Sequence, residues 1–501
     1  MNRRSPLSFL PALLLPLALA RPVLAQAPAA APEPTPAATP AATPAPPPPP
    51  PAVDPTTTRH LEELDQLAQA TAGRLKALED AAAARPKEAP PSAGVAADDK
   101  GFTIKSADGA YVLKLRALMQ VDGRFFFDDT ALRANDTFLI RRFRPALEGT
   151  LFSLVDYRLT PEFAGTFQIL DAFVDIHPFE WLRLRVGKFK GPIGLERLQS
   201  DADMPILERA LDQNLSSQRE LGVQLWGDVA GGIAQYIVGV FNGTVDGANG
   251  DTDFNHAKDL AGRLFFQPLK GLGDYGNLGI GVAGSIGNRK GRLPSGSTAA
   301  VTGLPVLRSG GQNTFFQYFA PSTDTTGATT TFTHELTTHL NPSLYYYYDA
   351  FGLLAEYVRV GQGVQKGAAT ATLHQQSAHA TLNYAIGGRV GYDGVTPVTP
   401  FDRKSGAFGA FEIAVRYGWL AVDDATFADS STSPATQYAD PRNSAKSAQS
   451  FAGNLTWVPR RSFHLGFSFE HTVFDGGAGT TAALTDRKAE NVFIGRTQVN
   501  F

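Results

Sequence analysis

The feature that most constrains this chain is a period-two alternation that recurs, segment after segment, from Gly101 to the last residue. The closing stretch is "VFIGRTQVNF". Phe493, Gly495, Thr497, Val499 and Phe501 share one side of an extended strand there, and Ile494, Arg496, Gln498 and Asn500 share the other. One side is mostly apolar, the other mostly polar. Chain ends of most domains fray. Here the last residue belongs to the pattern, so the alternation predicts that something holds Phe501 in place.

Other segments repeat the theme. "YVLKLRALMQVDGR" sets Leu113, Leu115, Ala117, Met119 and Val121 against Lys114, Arg116, Gln120, Asp122 and Arg124, interrupted by Leu118. "FLIRRFRPALEG" sets Leu139, Phe143 and Leu147 against Arg142, Arg144 and Glu148. "AFGAFEIAVRYGWL" sets Phe411, Ile413, Val415 and Tyr417 against Glu412, Ala414 and Arg416. "SFHLGFSFEH" sets Leu465, Phe467 and Phe469 against His464, Ser468 and Glu470. About sixteen such segments are present, with cores near 110–127, 137–151, 154–164, 166–177, 181–191, 220–227, 232–241, 258–267, 277–287, 331–346, 351–361, 371–386, 407–422, 445–458, 462–474 and 490–501. Turn-like stretches such as "HPFEW" and "YDAFG" alternate with long polar loops, 242–257 and 288–330 among them. Strands of this length with short turns at one end and long loops at the other predict an all-β fold, a sixteen-stranded antiparallel transmembrane β-barrel. Closing the sheet satisfies every backbone group, as lipid demands. It would also pair the last strand with the first and so hold Phe501. A soluble β-sandwich is the other reading of the alternation. The strand number weighs against it. So do aromatics at strand ends ("FFF" at 125–127, "YYYY" at 345–348, and Trp181, Trp419 and Trp457), which suit interfacial girdles.

Upstream of the alternation the composition changes three times. Arg3 and Arg4, the apolar run "PLSFLPALLLPLALA" and the "VLAQ" that follows read as an export signal over 1–25, cleaved after Ala25. Residues 26–58, nearly all Ala, Pro and Thr, read as an extended spacer. In 59–84, Leu61, Leu64, Ala68, Thr71, Leu75, Leu78 and Ala82 form a heptad seam of about three repeats, a short α-helical coiled coil preceding the barrel. A single amphipathic helix lying on the next domain is the alternative. Residues 85–100 are a second linker, and 101–501 the barrel. No stretch approaches 18 uninterrupted apolar residues, so no helical span is expected. The formal charge of −3 argues against a nucleic-acid partner, and the absence of Cys excludes disulfides and thiolate sites.

The stretch "LRLRVGKFKGPIGLERLQSDADMPILERALDQNLSSQRELGVQLWG" resembles the phosphate-selective porin O/P family, trimeric sixteen-stranded porins of the outer membrane. "FLIRRFRPALEGTL", "SLYYYYDAFGLLAEYV" and "GAFGAFEIAVRYGWLAVD" extend the likeness over most of 101–501. The resemblance implies a homotrimer in the outer-membrane lipid of a Gram-negative cell. The amino-terminal segment would then lie in the periplasm. It implies that the loop near 192–219 folds into the lumen, with Arg197, Asp201, Asp203, Glu208 and Arg209 at the constriction, beside Asp212. It also implies that the barrel-insertion machinery reads the terminal strand through Phe501.

The physical task is filtering. Lumen Lys and Arg favour anions, and guanidinium forks match phosphate and carboxylate. Alternation places Lys114, Arg116, Arg124, Arg142, Arg144, Arg183, Arg185, Arg263, Arg416 and Arg496 inward as pore-lining or anion-binding candidates. Cross-strand pairing of these with Asp122, Glu148, Glu412 and Glu470 is the plainer alternative. Of 45 Lys and Arg, 9 precede residue 101, leaving 36; of 48 Asp and Glu, 10 do, leaving 38. A slightly acidic barrel leaves a general porin open beside a phosphate channel.

No catalytic site, metal site or cofactor is expected. "GIGVAG" at Gly279–Gly284 matches a dinucleotide pattern but lacks its helix, and reads as strand glycines that leave space. His334 and His339, and His374 and His379, are five apart, which on a strand sends each pair to opposite faces. The expectation is therefore an outer-membrane porin for passive diffusion of small hydrophilic solutes, anions such as phosphate first. The alternative is a structural tether, with the Pro-rich arm and coil gripping the cell wall or a periplasmic partner and the barrel as anchor.

Overall fold

The computed structural model describes residues 55–83, 93–99, 101–127, 134–251, 253, 256–293, 300–321, 324, 326–427, 436–480 and 482–501. The expected export signal and most of both expected linkers lie outside these residues. The chain divides into two compact units, 1–87 and 88–501. In the first, helix α1 spans Pro55–Ala83 and bares its leucines: Leu64, Leu75 and Leu78 of the expected seam are exposed, as are Ala68, Thr71 and the off-seam Leu67. The side chains of Leu61 and Ala82 lie outside the described set. The helix is as expected; its pairing into a coil stays a proposal. No described helix is long and apolar enough to cross a membrane.

The second unit is a closed antiparallel barrel. Its strands are β1 Val112–Phe127, β2 Thr137–Leu151, β3 Val155–Glu162, β4 Gln168–Phe179, β5 Leu182–Phe189, β6 Glu220–Val229, β7 Ala234–Phe241 and β8 Asp259–Phe266. They continue as β9 Asn277–Lys290, β10 Thr331–Tyr348, β11 Phe351–Lys366, β12 Ala369–Ile386, β13 Ala410–Ala421, β14 Ala445–Arg460, β15 Phe463–Gly479 and β16 Glu490–Asn500. Each pairs with the next, and β16 returns to β1 with Arg496 opposite Asp122. Each of the sixteen expected segments is a strand. Phe501 is held: its amide donates to Ala117 O at 3.0 Å, its carbonyl accepts from Ala117 N at 2.8 Å, and its ring meets Phe102 edge-on at 5.8 Å. Where β16 stops, a hairpin of Gly94–Asp98 and Gly101–Lys105 takes over the edge of β1.

Burial reverses the order of a soluble domain. On β8, Leu260 and Leu264 are 52% and 50% exposed, while Asp259 and Arg263 are 4% and 6% exposed. An apolar exterior around a polar interior suits hydrocarbon outside and water within. One expected face is wrong. A bulge leaves Arg141 without an opposite residue, because Gln120 pairs with Arg142 while Val121 pairs with Ile140. The bulge resets the phase of β2. Phe138 and Ile140 therefore face out, and Leu139 shares the inner face with Asp122 rather than the outer face with Phe143 and Leu147.

Two insertions fill part of the interior. The long connection from β9 to β10 folds back as a hairpin, Val306–Arg308 with Thr314–Gln317. Its Leu307, Phe315 and Phe316 are fully buried against Val358, Val364, Leu373 and Leu420 of the wall. From the short-turn end, the connection from β12 to β13 sends in a second hairpin, Gly388–Gly391 with Gly394–Pro397. There Val390 and Val395 pack on Tyr345, Leu354 and Val458. Alternation signals neither hairpin, because each is carried by a connection.

Candidate functional site

The connection from β5 to β6, residues 190–219, lies inside the barrel, where the resemblance places a constriction. Its backbone turns at Gly194, whose φ of +89° and close approach to Arg197 Cβ (2.8 Å from an added Cβ) require glycine. A one-turn helix, Leu195–Leu198, follows, then a 3₁₀ turn at Leu211–Leu215.

Two carboxylates pin the loop to one side of the wall. Glu208 accepts from Arg124 at 2.7 Å, from Arg141 Nε and Nη2 at 2.7 and 3.0 Å, and from Arg496 at 3.0 Å. Asp122 completes this node: Arg496 donates to it bidentately at 2.7 and 2.8 Å, and Arg124 donates at 3.1 Å. Asp201 accepts from Arg209 at 3.1 and 2.6 Å and from Arg144, with Arg142 at 3.4 Å. Arg144 also donates to Glu162. Such buried groups hold only because each charge has several partners.

The opposite wall grips the loop in the reverse sense. Glu356 on β11 accepts from the amides of Leu195 (2.7 Å) and Glu196 (3.0 Å) and from Gln213 (3.0 Å). Asp212 meets His379 Nδ1 at 2.8 Å. Arg416 donates to Glu208 O at 2.7 Å and to Glu470 at 3.3 Å. From the short-turn end, Tyr392 at the hairpin tip donates to Leu195 O at 2.6 Å, and Gln199 donates to Tyr392 O at 2.8 Å. Asp203 packs against Gly394 of the same tip and makes no ion pair among the described residues.

Beside the loop the lumen stays open. A cavity of about 660 Å³ lies toward the short-turn end, and one of about 390 Å³ toward the long-loop end. They share Arg144, Asp201 and Arg219. Seven basic and five acidic residues line the larger, and seven basic and three acidic the smaller. Of the candidates from alternation, Arg116, Arg142, Arg144 and Arg185 line these cavities, with Arg197 and Arg209 from the loop. Arg116 is paired with Glu148 at 2.7 Å, and Arg185 with Asp175 at 2.6 Å over the Phe173 ring. Arg124, Arg416 and Arg496 serve the loop contacts and line neither cavity. Lys114, half-buried, sits opposite Glu148. Arg183 stacks over Trp226 at 4.7 Å, and Arg263 lies over Phe265 at 4.5 Å.

Sequence reasoning missed several lining residues. Arg141 escaped because of the bulge. Arg158 sits at the expected inward phase of β3 but was passed over. Lys190 closes the expected segment 181–191 on the phase opposite to Arg183 and Arg185, and Arg219 and Arg308 are on connections, where alternation has nothing to say. The glycines of "GIGVAG" do leave space: added side chains at Gly279 and Gly281 would run into the Phe265 ring, and at Gly279 into Tyr345.

Two polar clusters were not foreseen. Glu196, Asp212 and His379 bring donor atoms within 4.8 Å, a set able to hold a metal ion, but Asp212 and His379 already join the loop to the wall, and Glu196 accepts from Ala210 N within the loop and from Arg416 at 3.5 Å. Ser285 meets His339 Nδ1 at 2.8 Å, and His339 Nε2 meets Asp246 at 2.9 Å. This serine–histidine–aspartate relay adjoins a cavity of only about 10 Å³, which leaves no room for a substrate.

A family model described as phosphate-selective porin O and P matches residues 113–501. No curated protein matches the chain. Similar solved structures include the outer membrane channel DcaP of Acinetobacter baumannii, at 12% identity and a TM-score of 0.48, over 80% of this chain and 100% of that one. An anion-selective porin from Comamonas acidovorans is similar at 12% identity and a TM-score of 0.47, over 78% and 100%. OprB of Pseudomonas putida is similar at 10% identity and a TM-score of 0.46, over 79% and 95%.

Proposed function

The chain belongs to the phosphate-selective porin O and P family, and from that premise we propose that it is an outer-membrane channel passing small hydrophilic solutes down their gradients, oxyanions such as phosphate preferred. The observation that carries the anion preference is local charge. The barrel as a whole holds slightly more acid than base, yet basic residues outnumber acidic ones around both cavities. The surplus remains although the loop acids Asp201 and Glu208 are counted among the lining residues. Fixed donors along a water-filled path lower the energy of anions and raise that of cations.

The fuller reading adds export through residues 1–25, insertion by machinery that recognises the terminal strand, and assembly as a homotrimer. Three copies of α1 would then bury their bare leucines against one another in the periplasm, helped by the high effective concentration that a shared barrel trimer provides. The paired cavities support a channel over a pure anchor. The decisive experiment is the reversal potential of the purified protein in a planar bilayer under a salt gradient, with chloride and then phosphate. Anion-selective steps that phosphate blocks are expected. Cation-selective steps would remove the anion preference, and no conductance at all would remove the channel.

A further inference from the structure

A barrel wall that meets lipid is apolar on its outside, and β11 departs from that. Its outward residues run Phe351, Leu353, Ala355 and Tyr357, and then comes Arg359. Arg359 is exposed and makes no hydrogen bond or ion pair among the described residues. Across the sheet it lies between Leu340 of β10 and Gln376 of β12. One step further along, Gly361 lies between Thr338 and His374. A side chain at Gly361 would come to 2.8 Å from Thr338 Oγ1 and 3.5 Å from His374 Nδ1, so the glycine leaves a recess between a hydroxyl and an imidazole. Gln376 Oε1 accepts from the Tyr357 hydroxyl at 2.9 Å, which leaves its amide nitrogen free to donate. Four groups able to donate, from three neighbouring strands, thus flank one gap. The acid beside them, Asp423, is occupied by the backbone amides of His374 and Ala425, each at 3.0 Å.

Height on the wall decides what this patch faces. Phe351 starts β11 at the short-turn end, in register with Tyr348 and Tyr384. From there to Arg359 the tilted strand climbs roughly 20 Å through the membrane, against an apolar band about 25 Å tall. Tyr357 shares a row with Trp419, just below Arg359. Such rings sit at a membrane–water interface. Arg359 and the recess therefore stand at headgroup level, in the leaflet nearest the long loops. A bare guanidinium is costly amid hydrocarbon and favourable beside an anionic headgroup.

We propose that Arg359, Thr338, His374 and Gln376 form a binding site on the outer wall for the phosphate of a lipid headgroup. The guanidinium fork matches two phosphate oxygens. The recess at Gly361 admits the group, and the acyl chains lie down the wall over Tyr357, Ala355 and Leu353. The site rests on the membrane-spanning barrel and not on the anion preference of the pore, since it uses no residue of the lumen.

The test places the whole protein in nanodiscs of phosphatidylcholine carrying spin-labelled phosphatidic acid or spin-labelled phosphatidylcholine. The motionally restricted fraction of each label gives the relative association constant. The unaltered protein should prefer phosphatidic acid, and R359Q should lower that preference about five-fold, equivalent to ~1 kcal/mol. R359K should keep most of it. Equal association of the two labels with the unaltered protein, or a preference that R359Q leaves unchanged, overturns the site. Displacement of the label by excess inorganic phosphate would make the ligand a free ion and overturn the lipid assignment. An R359Q oligomer that falls apart while its lipid preference persists would show that the patch faces a second copy, again overturning the site. The anion-to-cation permeability ratio should be the same in R359Q, and a changed ratio would put Arg359 in the pore and refute its outward role. If R359Q yields no folded barrel, T338V decides. It removes one hydroxyl at the recess and should lower the preference by a smaller factor, and no change overturns the proposal.

Discussion

The two sides of the barrel interior are built on opposite principles. Along β1 to β5 the inner face is charged, and two open cavities run beside the loop. Along β11 to β14 the inner face carries Val358, Val364, Leu373 and Leu420, and a hairpin lays Phe315 and Phe316 over them. One side is wet and paired by ions; the other is packed under the hairpin like a soluble core, and Glu356, His379, Arg416 and Asn454 on it reach the loop with polar groups. The passage is therefore eccentric. Its width is set by how firmly a polar wall and an apolar plug hold the same loop between them, for Leu211 and Leu215 of that loop join the apolar cluster.

The sharpest way to break the contrast is Glu208→Gln. Buried Arg124 and Arg496 and half-buried Arg141 lose their shared anion, a loss on the order of 3–5 kcal/mol. Single-channel conductance should rise as the loop detaches; unchanged conductance would show that the packed side alone fixes it. On that packed side, Phe316→Ala should cost about 3 kcal/mol of hairpin docking, read as faster protease cleavage within 300–320 in the folded protein, with ion selectivity retained. A smaller effect tests the phase of the wet wall. Ile140→Lys, facing out, should lower stability by up to ~2–4 kcal/mol, and Leu139→Lys, facing in, by far less. Denaturant unfolding in lipid compares the two, and equal losses would refute the bulge. Smallest is Tyr392→Phe, which removes one hydrogen bond to the loop, worth about 1 kcal/mol. It should appear as added open-channel noise without a change in mean selectivity.

How much of this the sequence reveals follows the same division. Strand count and facing were legible because lipid outside and water inside impose a period of two on every strand, from Arg124 on β1 to Arg496 on β16. Arg141 was hidden because one inserted residue shifts the phase. The packed side was hidden for a different reason. Val358 and Val364 face inward as apolar residues only because a connection far along the chain covers them, and periodicity within a strand cannot show what another segment brings. The acids of the loop belong to the slight acidic excess that leaves a general porin open. Asp201 and Glu208 change meaning once their arginine partners, dispersed over three strands and the loop itself, are placed around them.

The node at Glu208 also has a bearing on time. Its arginines come from β1, β2 and β16, and Asp122 and Arg496 within it belong to the first and last strands of the ring. Contacts between residues so distant in sequence form late. The loop can reach its final anchorage only after the sheet has joined end to end, so ring closure and narrowing are a single event. A barrel caught before that event would hold its loop from the side of Glu356 and His379 but without Arg496, so the salt bridges that shape the finished pore also mark the joining of its two ends.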